Sequence, residues 1–241
     1  MKRLLLTGIM AAAMMVAAVS KAEAVVQLQV VICQGGAFCF TSPVAPGPGP
    51  FTNNNIVVGD YSVSGSVSSL ENPLASNAAT STLAVQRLST NNVGNLEIYL
   101  IASNYNNPPP PGHDITSILS GTSSLAVGAS TITYQGWVNF TNDNTLPPNG
   151  TTPGQQSCAL AADTTACATS PLSIVTNAGA IPFSIFTLMT FNIAQASALA
   201  TYTIQGQINV TPVAVPEPAS MVLLGSGLVA LAAAARRRRR S

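Results

Sequence analysis

The residues of this sequence that could take part in catalysis are few and scattered. Between Val25 and Val215 the chain contains one histidine, His113, one arginine, Arg87, and no lysine. His113 follows four prolines and a glycine, so we expect it in a solvated loop without the fixed geometry that general-base catalysis needs. Two carboxylates could hydrolyse a glycosidic bond if the fold brought them together, but no spacing favours a pair among Asp60, Glu71, Glu97, Asp114, Asp143 and Asp163. We predict that the protein is not an enzyme and has no catalytic residue.

Metal and cofactor sites are equally hard to find. Two Asn-rich segments, 53–60 and 139–145, offer oxygen ligands to Ca²⁺, but neither has the spacing of a known calcium loop, and a polar turn is favoured for both. The four cysteines do not have zinc-site spacing, and the single histidine is distant from them in sequence. We predict no metal site and no cofactor.

Trp137, the only tryptophan, is the side chain that we single out as a candidate sugar contact. Polar and apolar residues alternate here, and the alternation places Trp137 on the polar face of a predicted strand, beside Gln135 and Asn139. An exposed ring at this position could stack on a saccharide. The competing interpretation is that the ring packs under a loop or against a neighbouring strand, because large aromatic side chains are usually mostly buried.

The charge of the central region excludes one class of partner. Six acidic residues stand against one arginine between Val25 and Val215, so the net charge is −5 with His113 neutral. The other polar residues are mainly Ser, Thr, Asn and Gln. Such a surface disfavours phosphate backbones and suits a hydrated, sugar-rich environment. We predict no nucleic-acid partner.

The first 24 residues have the composition of a secretory signal peptide. Lys2 and Arg3 precede an apolar stretch over 4–19, and a small-x-small site follows at Ala22 and Ala24. We expect signal peptidase to cut there and the mature chain to begin near Val25. A retained anchor or a buried helix is the alternative.

The C-terminal segment combines a short apolar span with a block of cations. Residues 219–235 are 17 positions without a charge, the lower limit for a helix that crosses about 30 Å of hydrocarbon. A cationic block stays on the cytoplasmic side and stops transfer. We predict one weakly held transmembrane helix, and a nucleic-acid patch is the disfavoured alternative. The stop-transfer residues are Arg236, Arg237, Arg238, Arg239 and Arg240.

The residues that precede this span complete a specific pattern. Val215, Pro216, Glu217 and Pro218, with the span and the arginines, resemble the PEP-CTERM sorting signal of Gram-negative bacteria. The resemblance covers residues 215–241 and implies cleavage near the motif by an exosortase, a membrane protease of the Cys transpeptidase type. It also implies a link to exopolysaccharide, biofilm or floc matrix and the cell surface. The two prolines exclude helix and inner-strand pairing, so they leave Glu217 extended and open to a protease.

Export makes disulfides the default state of the four cysteines, Cys33, Cys39, Cys158 and Cys167. Of the three possible pairings we prefer the local bridges Cys33–Cys39 and Cys158–Cys167, because each closes a short loop flanked by Gly, Ser or Thr. Each would stabilise the fold by about 2–3 kcal/mol in the chain-entropy model. A crossed pairing would instead tie the first strand to a late loop.

Residues 25–214 predict one all-β domain. Short apolar alternations rich in Val, Ile and Thr are separated by clusters of Pro, Asn and Gly. About 190 residues suffice for a single antiparallel β-sandwich, which we expect to be jelly-roll-like. The predicted strands are 25–32, 56–68, 81–88, 95–103, 115–119, 131–141, 172–176, 183–193 and 200–210.

Two of these strands share a pattern. "TITYQGWVNFT" from Thr131 and "TYTIQGQINVT" from Thr201 indicate either a duplication or a shared composition. We expect strand 183–192 to form a hairpin with the strand from Thr201, and residues 115–119 to do the same for the strand from Thr131. Alternation predicts that the inward residues are Ile132, Tyr134, Gly136, Val138 and Phe140, then Tyr202, Ile204, Gly206, Ile208 and Val210. With Gly65 in a fainter copy, the glycines at positions 136 and 206 are expected to allow a bend or a close approach of the facing sheet.

The sequence thus predicts a three-part exported protein: a signal peptide over 1–24, a β-sandwich ectodomain over 25–214 and a sorting segment over 215–241. Its expected partners are signal peptidase, an exosortase-like protease, the inner membrane as a transient anchor, and exopolysaccharide. We expect a structural or adhesive component of the cell surface or extracellular matrix. The alternatives are a carbohydrate-binding module that uses Trp137 and a secreted carboxylate-dependent hydrolase. N-glycan acceptor patterns begin at Asn139, Asn149 and Asn209 and matter only in a host with the machinery.

Overall fold

A computed structural model of the protein describes residues 25–46, 51–72, 75–91, 94–108, 112–124, 128–177 and 179–213, and also Ser226 and Leu228. The predicted signal peptide, the motif at 215–218 and the arginine cluster lie outside the described residues. Ser226 and Leu228, inside the predicted span, are helical. Among the described residues there is no helix with the length and apolarity to cross a membrane.

The described ectodomain is built from β-strands. One turn of 3-10 helix, Gln195–Ser197, interrupts them. The strands are β1 (Gln27–Gln34), β2 (Phe38–Thr41), β3 (Ala45–Pro46), β4 (Phe51–Val58), β5 (Tyr61–Asn72), β6 (Ala75–Arg87), β7 (Leu96–Tyr105), β8 (His113–Ser124), β9 (Ser130–Asn139), β10 (Gln155–Leu160), β11 (Ala166–Ala168), β12 (Leu172–Thr176), β13 (Phe183–Asn192) and β14 (Thr201–Pro212).

Within the described ranges these strands form two seven-stranded antiparallel sheets that pack face to face. The first sheet has the order β10-β9-β13-β7-β1-β2, with β3 also on β1. The second has the order β11-β8-β14-β6-β5-β4, with β12 also on β8. One buried cluster joins the inner faces of both sheets, so the predicted antiparallel β-sandwich is confirmed. The chain crosses repeatedly between the sheets, as in a jelly roll, but β4, β5 and β6 form a meander within one sheet.

The predicted alternation in β9 and β14 is confirmed. The inward apolar residues predicted in both strands are fully buried, apart from Phe140, which is partly buried and packs against the same core. Gly136 and Gly206 mark close contact of the sheets: a Cβ on Gly206 would lie 2.7 Å from Tyr134 Cε2, and one on Gly136 would lie 2.6 Å from Ile208 Cδ1. Gly65 adopts a φ of 143° beside a register shift between β5 and β6, which is the bend expected there.

The predicted strand partners are wrong. β13 pairs with β7 and β9 in the first sheet, whereas β14 lies between β6 and β8 in the second. Residues 193–200 carry the chain from one sheet to the other instead of closing a hairpin, and β8 likewise pairs with β14 and not with β9. The predicted strand 56–68 is broken by a turn at Gly59 and Asp60. Four strands were not predicted because they are short or lack clear alternation: β2, β3, β10 and β11.

The local disulfide pairing is confirmed. Cys33 and Cys39 face each other across β1 and β2. Cys158 on β10 bonds to Cys167 on β11, with their Cα atoms 5.9 Å apart. Because β10 belongs to the first sheet and β11 to the second, this bond ties the two sheets together at one edge.

The sandwich has two ends, each held by contacts between the sheets. At the Val213 end, which comprises the starts of β1, β6, β8 and β13 and the ends of β5, β7, β9 and β14, the Tyr105 hydroxyl donates to the Asn77 carbonyl (2.7 Å). At the Leu199 end, which comprises the opposite strand termini, the Tyr61 hydroxyl donates to the Gly94 carbonyl (3.1 Å). These contacts fix the relative position of the two sheets.

Candidate functional site

His113 does not lie in a solvated loop as expected. It is the first residue of β8, fully buried, and its ring stacks on Phe140 with centroids 5.2 Å apart. Its Nε2 atom is 2.9 Å from the Pro108 carbonyl oxygen. Phe140, from the chain after β9, and Phe183, from β13, close over the ring. This long-range packing cannot be read from the proline run beside His113. His113 is therefore part of the packed core at the Val213 end of the sandwich.

Arg87 is also a structural residue. It is 3% exposed, and its guanidinium donates to the backbone carbonyls of Ser89 (2.9 Å), Ile193 and Asn91. Because a guanidinium presents five N–H donors in a fixed fork, it can satisfy several carbonyls at once. The side chain thereby joins the end of β6 to the segment that follows β13.

Two of the six carboxylates, Asp60 and Glu71, accept hydrogen bonds from other segments of the chain. Asp60 accepts a hydrogen bond from Gln34 Nε2 (3.1 Å), and Glu71 accepts from Asn107 Nδ2 (3.2 Å) and from the Asn106 amide. They lie at opposite ends of β5, so the fold separates them by the length of a strand.

The remaining four carboxylates lie on β7, on β8 and in the loops after β9 and after β10. Asp143 accepts from the Thr145 amide (3.0 Å) and hydroxyl (2.9 Å), and these hydrogen bonds hold its pKa below the ordinary value. Asp114 is on β8 with its Oδ1 atom buried and without a partner in the described part of the chain, and Asp163 is exposed in the turn between β10 and β11. Glu97 lies on β7 and accepts from the Tyr99 hydroxyl (3.1 Å).

The Asn-rich segment 139–145 forms a polar turn at the end of β9, as favoured from the sequence. In the other segment, residues 53–58 belong to strand β4 and only Gly59 and Asp60 form a turn, so the prediction is wrong for most of that segment. Asn139 is 5% exposed, and its Oδ1 accepts from the Thr141 amide (2.8 Å) and hydroxyl (2.6 Å). Asn142 Nδ2 donates to Asn104 Oδ1 (2.8 Å), which ties this turn to β7. Within the described ranges no three His, Cys, Asp or Glu side chains converge as metal ligands. The acceptor pattern at Asn139 is inaccessible in the folded domain.

Trp137 lies on the outer face of the first sheet, in what we call the outer apolar cluster. Trp137 and Tyr99 pack against the buried members of this cluster, which are Val31, Cys33, Ile101 and Phe186. The ring faces Phe186 across the β9–β13 pair and is only half-buried. The structure thus includes the packing against a neighbouring strand that was one of the two interpretations, and it leaves part of the indole accessible.

Tyr99 adds a second aromatic ring to this cluster. Burial raises the pKa of its hydroxyl, and the Glu97 carboxylate raises it further. Tyr99 therefore remains a neutral hydrogen-bond donor over the ordinary pH range, and its hydroxyl is directed at Glu97 Oε2. Half-buried aromatic rings beside polar groups can contact an uncharged ligand that has both apolar faces and hydroxyl groups.

The outer face of the second sheet has a depression that the sequence analysis did not predict. It has a volume of about 250 Å³ and is lined by Ser120, Gly121, Thr122, Ala166, Cys167, Thr203 and Gln205. The polar alternation along β8 and β14 was the available signal. The wall formed by β11 was not predictable, because that strand has only three residues and none of the expected pattern.

Residues 214–240 match the family model described as the PEP-CTERM protein-sorting motif. The chain carries this sorting motif. It begins one residue after Val213, where the described ectodomain ends, so the resemblance seen in the sequence is confirmed. The motif indicates an exported protein that is anchored transiently in a membrane and processed by an exosortase.

No curated protein sequence matches this chain. Among solved structures, it is similar to an arabinose-bound α-L-arabinofuranosidase, MgGH51 (13% identity, TM-score 0.28), over 63% of this chain and 23% of that chain. It is also similar to the structure of infectious bursal disease virus, Gx strain (12%, TM-score 0.33), over 83% and 54%. A third is TmCBM61 in complex with β-1,4-galactotriose (10%, TM-score 0.25), over 64% and 89%. The chain spans only about a quarter and about half of the first two chains. These scores are too low to inform its function.

Proposed function

We propose that this chain is a non-enzymatic β-sandwich protein that is exported, processed by an exosortase near residues 215–218 and delivered to the cell surface or extracellular matrix as a structural or adhesive component. One observation carries the proposal: the sorting motif starts directly after the last strand of a disulfide-bonded sandwich. In this proposal the sandwich described over 25–213 is exported as one unit.

The use of the ionisable side chains supports a structural role. His113 is stacked in the core at one end, and Arg87 is held by backbone carbonyls at the other. Glu71, near the end of β5, holds the Asn106–Asn107 loop, and Asp143 organises the loop in which it lies. A catalytic group must be free to meet a substrate in fixed geometry, whereas these groups are already committed to neighbouring segments.

The surface chemistry supports a hydrated, sugar-rich destination. The region from 25 to 215 has six acidic residues and one arginine, and that arginine is buried. The outward positions of β14 carry Thr203, Gln205, Gln207 and Asn209. Neutral hydroxyl and amide groups can exchange hydrogen bonds with water and with glycans alike.

Cell fractionation tests this proposal. The precursor should be found in the inner-membrane fraction, and a shorter form should be found in the surface or exopolymer fraction, with a mass that corresponds to a start near Val25 and an end near Pro216. A control variant truncated after Val213 retains all described strands but has no sorting segment. It should be found neither in the inner-membrane fraction nor in the exopolymer fraction. Uncut chain in the cytosol, or identical distributions of the two proteins, would contradict the proposal.

Carbohydrate binding is a second candidate function, favoured by the half-exposed Trp137 in the outer apolar cluster. Trp137 and Tyr99 lie on the same sheet face and pack against the same buried residues. They would present ring surface to a neutral polysaccharide while Glu97 and Gln135 supply hydrogen-bonding groups beside them. This site would give a matrix component its adhesion.

A further inference from the structure

Both termini of the described ectodomain emerge at the same end of the sandwich. β1 starts there with Gln27 opposite Ser103 on β7, and the Val25 carbonyl accepts from Asn104 Nδ2 (3.5 Å). β14 finishes there with Pro212 opposite His113. The last contact before the sorting motif is the hydrogen bond from the Val213 amide to the Gly112 carbonyl (3.0 Å).

The distance from this end to the membrane span is short. Six residue steps separate Val213 from Ala219, the first residue of the uncharged segment. A fully extended chain covers at most about 3.6 Å per residue, so the connection is no longer than about 22 Å. β14 alone has 12 residues, and at about 3.3 Å per residue the opposite end is about 40 Å further away.

We propose that the sandwich stands on the bilayer in the precursor, with the Val213 end facing the lipid headgroups and the Leu199 end directed outward. This orientation rests on insertion of the C-terminal span, which the sorting motif implies, and not on the matrix role. The N-terminal side agrees with it, because the chain also leaves toward the predicted signal peptide from the Val213 end.

The charges at the Val213 end indicate how long this arrangement lasts. Glu71, Asp114 and Asp143 lie on or next to strand termini of this end, while the arginine of the described ectodomain, Arg87, lies at the other end. An anionic bilayer attracts basic clusters and repels carboxylates. The C-terminal connection to the membrane span therefore holds the sandwich near the membrane by itself, and cleavage of that connection frees the sandwich.

The orientation can be measured on the chain from Val25 to Ser241, the precursor that the expected signal-peptidase cut leaves, reconstituted into vesicles of phosphatidylethanolamine and phosphatidylglycerol that contain a nitroxide-headgroup lipid. The four native cysteines are bridged, so one added thiol takes a fluorophore. Asn177→Cys reports on the Val213 end, since Asn177 is exposed and directly follows Thr176, the partner of His113. Ala196→Cys is its matched, exposed control at the Leu199 end.

The label at Asn177→Cys should lose most of its fluorescence to the nitroxide lipid, and the label at Ala196→Cys should lose little. A flexible Gly-Ser insert of about 20 residues after Val213, which adds a root-mean-square span of about 25 Å, should remove the difference. Equal quenching of the two labels, or none at either, would overturn the proposed orientation. Neither exosortase nor matrix is present, so a failure of the matrix role leaves this result unaffected.

Discussion

Trp137 covers a neighbouring apolar side chain and still leaves part of its own ring accessible to solvent. Its ring covers Phe186, which is 1% exposed although it lies on the outer face of the sheet. A sheet face in water would otherwise present Phe186 and Ile101 directly to solvent. The remaining surface of the indole is available to a ligand.

Replacement of Trp137 by alanine should weaken retention on the native exopolysaccharide by about two- to tenfold, because an aromatic contact contributes about 0.5–1.5 kcal/mol. Affinity electrophoresis in gels that contain the polysaccharide measures this retention. Trp137→Phe should keep part of it, and Leu70→Ala, which removes an exposed apolar side chain (46%) from the other sheet, should leave it unchanged. Undiminished retention of Trp137→Ala would argue against the sugar contact.

Removal of the hydroxyl group from two buried tyrosines should change the free energy of unfolding in different ways. The Tyr134 hydroxyl is buried and has no hydrogen-bond partner in the described part of the chain, whereas the Tyr105 hydroxyl donates to Asn77. In urea unfolding, Tyr134→Phe should leave the free energy of unfolding unchanged or raise it by up to about 1 kcal/mol, and Tyr105→Phe should lower it by about 1 kcal/mol. Equal losses would show that Tyr134 has a partner in solution.

At the scale of elements, the chain from β10 to β12 closes one edge of the sandwich. β10 extends the first sheet, and β11 and β12 both pair with β8 of the second. Gln156 on β10 donates to Thr169 Oγ1 (2.7 Å) and to the Ser170 carbonyl (2.9 Å), so it binds the same segment as the Cys158–Cys167 bond. This edge is held by covalent and polar contacts in addition to apolar packing.

The two disulfides should therefore differ in their contribution to stability. Replacement of Cys158 and Cys167 by alanine should lower the free energy of unfolding by about 3–4 kcal/mol, because it removes the link between sheets and leaves space at a core position. Replacement of Cys33 and Cys39, which bridge a hairpin at the surface, should cost about 2 kcal/mol. Denaturant titration of both double variants measures the difference, and equal losses would contradict it.

At the scale of the molecule, the proposed orientation puts the processing motif in the narrow space between the sandwich and the bilayer. A flexible insert after Val213 should accelerate conversion of the precursor several-fold, because the protease then no longer needs to fit beside the folded domain. The same insert at Asp163, an exposed turn, is the control and should have no effect. Pulse-chase immunoblotting gives the conversion rates. Unchanged or slower conversion of the variant with the insert after Val213 would show that the folded domain does not hinder the protease.

Much of the fold could be predicted because it depends on local pattern. The inward residues of β9 and β14 follow from the two-residue period of an extended chain, and the short cysteine spacings favoured local bridges. The partners of β13 and β14 could not be predicted, since residues 193–200 carry the chain across the sandwich and adjacency in sequence does not become adjacency in a sheet. His113 escaped prediction for a related reason: the rings that bury it come from β13 and from the chain after β9.

The sequence by itself determined the export and sorting route and the alternation of inward and outward residues along the strands. Export and sorting signals are read as charge, apolar length and a short motif, all of which are local properties of the chain. The tertiary structure decided which strands are neighbours, where the ionisable side chains lie and that both termini leave from one end. Those features depend on contacts between residues far apart in sequence, which only the packed sandwich brings together.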